Sequence, residues 1–238
     1  MTESSSAPLA DLAIYGSPVS PFVRKVAAVC LEKGAEFAIE PVDVFNPPEW
    51  FVDISPARLI PVLRDRSIAT QGIKGTIADS SAIAAYLEKK HAEPTLYPAE
   101  AYAHGRALFV EEYADNALAR ATGLGIFRPI FFAVTQGKEP DLETARTSWS
   151  EKLPPVFDYL ERSLDGAQYF VGDSLTIADI TVACTLMQAT LVAQTPLDKW
   201  PSLANHIDRM SERPSIAGPF AKANGFIRKA LPDRFDLT

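Results

Sequence analysis

The chain has 238 residues, 47% of them hydrophobic, which is more than one average domain and ample for packed cores. A net charge of −7 and a pI near 5.1 exclude the basic footprint of a nucleic-acid binder. Two cysteines, Cys30 and Cys184, supply no disulfide framework, no Cys-x-x-Cys dithiol and no Cys/His cluster for zinc or another metal, and they fit a reducing cytoplasm.

Residues 1–8 are small and polar, without the cationic and apolar regions of a secretory leader, and no later stretch reads as an uninterrupted membrane span. Leu12-Ala-Ile-Tyr15 is then long enough for one buried strand. The chain turns at Gly16-Ser17-Pro18 and enters a helix whose apolar side is Val23, Val26, Ala27, Cys30 and Leu31. Ser20-Pro21 is a start signal and Gly34 the matching stop. A hydroxyl at that start has two readings: Ser20 only caps the helix, or it caps with a lone pair and aims its proton at an anion that the helix N-terminus also favours.

Residues 36–42 alternate as a second strand, and Asn46-Pro47-Pro48 turns into a short irregular or helical piece. Val62-Leu63 starts a third strand with Pro61 at its entrance, either an ordinary edge proline or a cis bond. The third and fourth strands are joined by an extended loop around Gln71-Gly72-Ile73. Asp79-Ser80-Ser81 opens another helix, ending in Lys89, Lys90 and His91 as its dipole favours. Beyond the proline-bearing linker Ala92–Ala99 the β signals stop. An alanine-rich helix over 101–122 has Phe109, Tyr113, Ala117 and Leu118 on one side and is expected to break at Gly123-Leu124-Gly125. Asp141 caps a helix to about Leu164, kinked at Pro154-Pro155; Thr176 and Asp179 form a capping-box pair for a helix to about Ala193; and 201–212 and 215–222 complete the helical half.

Taken in order, these fragments resemble the glutathione S-transferase family over almost the whole length. Tyr15-Gly-Ser-Pro-Val-Ser20 and the helix bearing Arg24 are similar to the first turn of serine-type, bacterial-like members. Ile60-Pro61 resembles the family's Val-Pro with its cis bond, Asp79-Ser80 the acid-serine pair, and Gly172-Asp173 with Thr176-x-x-Asp179 the N-capping box. The resemblance implies a thioredoxin-like α/β domain over 10–92 that binds glutathione, and an all-α domain over 100–238 that contributes the electrophile site.

Carried over, Ser20 takes the place of the hydroxyl that holds the glutathione sulfur, with Ser17 as the alternative. Phe22 flanks the tripeptide, the backbone of Ile60 before Pro61 pairs with its cysteinyl part, and Asp79 and Ser80 take the γ-glutamyl end. Tyr113, with Phe127 and Phe131, is expected on an apolar wall for the electrophile. The implied protein is a cytoplasmic, homodimeric detoxification enzyme that uses glutathione as co-substrate, with no metal, nucleic acid or membrane. A glutathione-dependent isomerase or dehalogenase, or a non-catalytic module of the same fold, are the alternatives. Two departures stand out: Pro47 replaces a lysine that would hold the glycyl carboxylate, and Ser55-Pro56-Ala57-Arg58 replaces the usual Asn-Pro-x-Gly.

Overall fold

Four short strands, Leu12–Tyr15 (β1), Phe37–Glu40 (β2), Val62–Asp65 (β3) and Thr76–Ala78 (β4), form a sheet in the order β2-β1-β3-β4. β1 runs parallel to β2 and antiparallel to β3, and β3 runs antiparallel to β4. Every residue of β1 and β3 is buried, as the apolar run at Leu12 requires of a central strand, while β2 and β4 are half-buried edges. The computed structural model describes residues 10–238; the reading of residues 1–8 lies outside them.

The register places Glu40, Tyr15, Val62 and Ala78 in one row across the sheet. β1, β2 and β4 end on that row and β3 begins on it. Four connections therefore emerge at the same end of the sheet: Gly16 to Ser20, Pro41 to Pro48, Ser55 to Pro61, and Asp79 with Ser80.

The helices of this half are Pro21–Glu32 (α1), Glu49–Ile54 (α2) and Ser80–Lys90 (α3). α1 starts and stops where Ser20 and Gly34 predict, with Gly34 at φ 61°, but Leu31 is exposed and does not belong to its buried side. α3 is tied to the sheet by Asp65, which accepts from Tyr86 Oη and Lys90 Nζ, both at 2.5 Å.

Beyond the linker the described residues form no further strand, only the isolated bridge Ala193–Phe235. The fold is thus a thioredoxin-like α/β half followed by an all-α half. Ala101–Tyr113 (α4) does not break at Gly123-Leu124-Gly125. It continues through π-helical turns at Ala114–Leu118 and Arg120–Phe127 into Arg128–Thr135 (α5). Gly125 serves close packing instead: a Cβ on it would lie 2.1 Å from Ser148 Oγ, which donates to Ala121 O at 2.9 Å.

By length and composition this 35-residue helical run is apolar enough to cross a membrane, which the sequence reading did not anticipate. Here its Val110, Ala114 and Leu118 belong to the core. Leu142–Thr147 (α6) passes through another π-helical turn, Ser148–Lys152, into Leu153–Leu164 (α7). That widened turn precedes Pro154 and Pro155, which have no N–H to give the ladder.

Ile177–Thr190 (α8) is buried along nearly its whole length and packs on α1, α4 and the π-helical turns. Pro201–Glu212 (α9) and Pro214–Ala230 (α10) close the chain, α10 running eight residues past the expected end at Lys222 with Pro219 inside it. Cys30 in α1 and Cys184 in α8 are both buried, and burial pushes their thiols up to about 12 and about 11.

Asp179 carries the start of α8. Its Oδ2 accepts from Thr176 N (2.8 Å) and Thr176 Oγ1 (2.9 Å), and its Oδ1 from Phe170 N (3.0 Å), all without contact with water. Asp179→Ala orphans two buried N–H groups and removes the cap, so it is expected to cost about 3–5 kcal/mol in urea unfolding. Asp65 behaves differently on acidification. Burial, which would raise its carboxyl, is outweighed by Lys90, Ser67 and Tyr86, which hold it well below the usual carboxylate range. Its contribution is therefore present above the unfolded value near 3.9 and lost only as pH falls through the lower folded value. An Asp65→Asn protein is expected to be less stable at pH 7 and to lose less stability than wild type between pH 4 and strong acid.

Candidate active site

The four connections at the sheet end bring together residues more than sixty positions apart in sequence. In the first, Ser20 N donates to Ser17 O at 3.0 Å across a turn with Pro18 at its second position, where the fixed φ of proline suits it. Ser17 Oγ accepts from Val19 N at 3.3 Å within the turn and, like Ser20 Oγ, donates no bond among the described residues; it differs from Ser20 in lying three residues before the helix cap. Ser20 caps α1 with φ −68° and ψ 130°, yet its Oγ accepts from Val23 N at 3.5 Å, the long limit of a hydrogen bond. No donor bond from Ser20 Oγ occurs among the described residues. Its proton is free at the positive end of a 12-residue helix.

Gly16 lets the third connection come close. A Cβ there would meet Val23 Cγ2 at 2.6 Å and Ile60 Cβ at 3.3 Å, so Ile60 lies directly on the serine turn because position 16 has no side chain. The Ile60–Pro61 bond is cis, as is Glu93–Pro94 in the linker, which sequence reading did not single out. Ile60 is half-buried and Pro61 buried; Phe22, at the second position of α1, is half-buried.

At the fourth connection Asp79 sits at φ 77° and ψ 132°, and its Oδ1 accepts from Ser81 N (2.9 Å) and Ala82 N (3.1 Å). Its Oδ2 makes no bond among the described residues. Ser80 is buried at the first position of α3, again with no hydrogen bond to its hydroxyl. Asp79 thus caps with one oxygen and leaves the other without a partner among the described residues, in a sparsely populated backbone conformation that costs an L residue about 1–3 kcal/mol.

Sequence reading missed what holds α1 in place. Arg24 and Lys25 are consecutive and both buried. Arg24 Nη1 donates to Val19 O (2.8 Å), and Nη2 to Cys184 O (3.0 Å) and Gln188 Oε1 (2.8 Å) of α8. Burial lowers its guanidinium to about 10. Lys25 Nζ lies 2.7 Å from Glu111, 2.6 Å from Asp115 and 3.0 Å from Ser81 Oγ, which itself donates to Asp115 at 3.2 Å. Burial pushes the Asp115 carboxyl up against the pull of Lys25. The available signal was the pair of cations amid Val23, Val26 and Ala27, on a helix too apolar to leave them in water.

The aromatic residues divide into two groups. Phe127 and Phe131 pair at 5.2 Å between ring centroids, Phe132 joins both, Phe226 of α10 meets Phe131, and Phe45 of the β2–α2 connection meets Phe132 at 5.4 Å. Tyr113 is elsewhere. Its ring lies on Phe109 and, at 4.7 Å, on Tyr159 of α7, about 200° around the helix from Glu111, which faces α1. The structure does not bring Tyr113 together with the Phe127 group. Among the described residues no group of three His, Cys, Asp or Glu side chains is placed to hold a metal ion.

Gly16→Ala tests the packing of the site. The added methyl is expected to push Ile60 and Val23 apart, lowering stability by about 1–3 kcal/mol in thermal unfolding.

Residues 14–95 match the family model described as glutathione S-transferase, N-terminal domain, and residues 126–222 the one described as glutathione S-transferase, C-terminal domain. Glutathione S-transferase 3 of Zea mays is 32% identical over 197 residues, 79% of this chain and 82% of that protein. Glutathione S-transferase D6 of Drosophila melanogaster is 28% identical over 198 residues, 80% of this chain and 82% of that protein. A glutathione S-transferase crystal structure from Rhodospirillum rubrum F11 shares the fold with a TM-score of 0.77 at 24% identity, covering 87% of this chain and 91% of that one. With both halves matched in order and a relative above 30% identity along most of its length, the chain belongs to the glutathione S-transferase family and is a glutathione transferase.

Proposed function

We propose that glutathione, the co-substrate of the family, lies across the end of the sheet and that Ser20 holds its sulfur as a thiolate for attack on an apolar electrophile. The observation that carries this reading is the Ser20 hydroxyl at the N-terminus of α1, whose proton has no acceptor among the described residues and whose oxygen is only loosely held. A thiol of pKa near 8.5 needs about two units of depression, roughly 2.7 kcal/mol, to be mostly thiolate at pH 7. One hydrogen bond to a charged acceptor supplies about 1.5–3 kcal/mol, and a helix N-terminus up to about 2. Together they suffice.

The remaining connections match the rest of the tripeptide. Asp79 takes the γ-glutamyl ammonium with its unused oxygen, while Ser80 and the start of α3 take the γ-glutamyl carboxylate. Ile60 pairs through its backbone with the cysteinyl part beside Pro61, and Phe22 flanks it. Residues 10–92 supply this half of the site. Residues 100–238 supply the wall for the electrophile, with Phe127, Phe131, Phe132 and Phe226 favoured over Tyr113 because they form one cluster that reaches the first half through Phe45. The protein acts in this reading as a cytoplasmic homodimer in detoxification.

Ultraviolet titration of the bound thiol separates the two serines. Ser20→Ala is expected to raise the thiol pKa towards that of free glutathione, to shift the rising limb of the rate profile to higher pH and to lower turnover on an aryl halide tenfold or more, with glutathione affinity nearly unchanged. Ser17→Ala is expected to leave the titration where it is, since Ser17 lies in the turn and not at the helix cap; the reverse pattern would make Ser17 the catalytic residue. Asp79→Ala and Ser80→Ala are each expected to weaken glutathione binding about tenfold or more in calorimetry. Unchanged affinity in both would remove the γ-glutamyl assignment.

A further inference from the structure

The aromatic wall carries a charge pattern that a purely apolar electrophile does not use. Its rings come from two helical segments, Arg120–Phe127 continued by α5, and α10. Neither segment contains an aspartate or a glutamate, although the chain has 30 acidic residues and a net charge of −7. Between them they carry Arg120, Arg128, Lys222, Arg228 and Lys229.

These cations do not all face the cluster. Arg120 lines a cavity with Glu143 and Lys152, against α6 and the π-helical turn that follows it. Arg228 donates to Leu191 O and Pro232 O and is committed to the end of the chain. Lys222 and Lys229 are exposed and lie about one turn to either side of Phe226, the α10 ring that meets Phe131. Arg128 stands at the junction of the two halves. Its guanidinium lies 5.9 Å from the centre of the Phe132 ring, and Phe132 is the ring that meets Phe45 of the β2–α2 connection as well as Phe127 and Phe131.

Arg128 is exposed and makes no hydrogen bond or ion pair among the described residues, so its N–H donors are unspent beside an apolar surface. Asp43, two residues before Phe45, does not answer it. The Oδ1 of Asp43 is turned into its own loop, accepting from Phe45 N (2.9 Å) and Asn46 N (3.3 Å). Lying over Phe132, the planar guanidinium is already oriented, which reduces the freedom it loses when it pairs with an anion.

We propose that Arg128 selects electrophiles in which an apolar ring bears a carboxylate, a proposal that rests on the reading of this cleft as the place where the glutathione thiolate meets its electrophile. The phenylalanine cluster takes the ring, and Arg128 takes the carboxylate through two parallel hydrogen bonds. Lys222 and Lys229 add a positive field on the α10 side. With an aryl chloride the thiolate sulfur attacks the chlorine-bearing carbon, the C–S bond forms, and chloride leaves with the bonding pair of the broken C–Cl bond. The carboxylate keeps its charge from substrate to product, so Arg128 sets specificity and moves no proton.

Turnover of 4-chloro-3,5-dinitrobenzoate and of its primary amide tests the assignment, each kcat/KM being divided by the rate constant of the same halide with free glutathione so that intrinsic reactivity cancels. Wild type is expected to favour the carboxylate about fivefold or more, and the preference to shrink as salt is raised. Arg128→Gln is expected to lose the preference, through a higher KM for the carboxylate. Arg128→Lys is expected to keep part of it, because a point charge attracts the anion without the two parallel bonds. Lys222→Gln combined with Lys229→Gln is expected to reduce it by less than Arg128→Gln does. The proposal is overturned if wild type handles both halides alike, if Arg128→Gln retains the preference, or if Arg128→Gln loses turnover equally on both, which would mark a merely structural arginine. Failure of wild type to turn over either halide would overturn it together with the functional reading on which it rests, and is distinguishable from equal turnover of the two.

Discussion

The structure depends on two buried cations at consecutive positions of one helix. Arg24 and Lys25 project from α1 into opposite parts of the second half, the first to the backbone and Gln188 of α8, the second to Glu111 and Asp115. A buried charge stripped of its partner costs about 3–5 kcal/mol, a large share of what holds an ordinary domain together. The α/β half therefore cannot present α1 in this form without the helices that answer its charges. Because Arg24 also holds Val19 O, the residue just before Ser20 is fixed from the helical half. The serine turn is thus the joint product of both halves.

The sheet supplies the other constraint. A single row, Glu40 to Ala78, decides which loops meet, and the serine turn, the Ile60–Pro61 connection and the start of α3 all leave or enter on that row. None of these groups is near another in sequence. Gly16 brings two of them within contact, which gives a residue without a side chain as direct a part in the site as the serine that follows it.

Much of this was legible in advance because local chemistry and final structure agree. Ser20-Pro21, Asp79-Ser80 and Thr176-x-x-Asp179 are starts written in capping residues, and each helix begins there. The α/β-to-α order followed from where alternation stops. What was not legible depends on partners far along the chain. Gly123-Leu124-Gly125 reads as a break by propensity, but Gly125 admits Ser148 from another helix and the run continues in π-helical turns. The aromatic side of α4 was read from spacing alone, and spacing cannot say which neighbour a face will meet: Tyr113 meets Tyr159, while Phe127 and Phe131 meet Phe226 and, through Phe132, Phe45. The buried Arg24 and Lys25 were invisible for the same reason, since their partners are about 90 to 160 residues away.

An enzyme that gathers electrophiles beside a thiolate risks being alkylated by what it collects. The two cysteines of this chain answer that hazard by position. Each is enclosed between α1 and α8 or their neighbours, and burial holds each thiol far above neutral pH, so neither offers a nucleophile of its own. In the proposed reaction the thiolate is that of glutathione, and it departs in the product as a neutral thioether. The contact of α1 with α8 that fixes the serine turn through Arg24 is thus also the one that encloses these thiols.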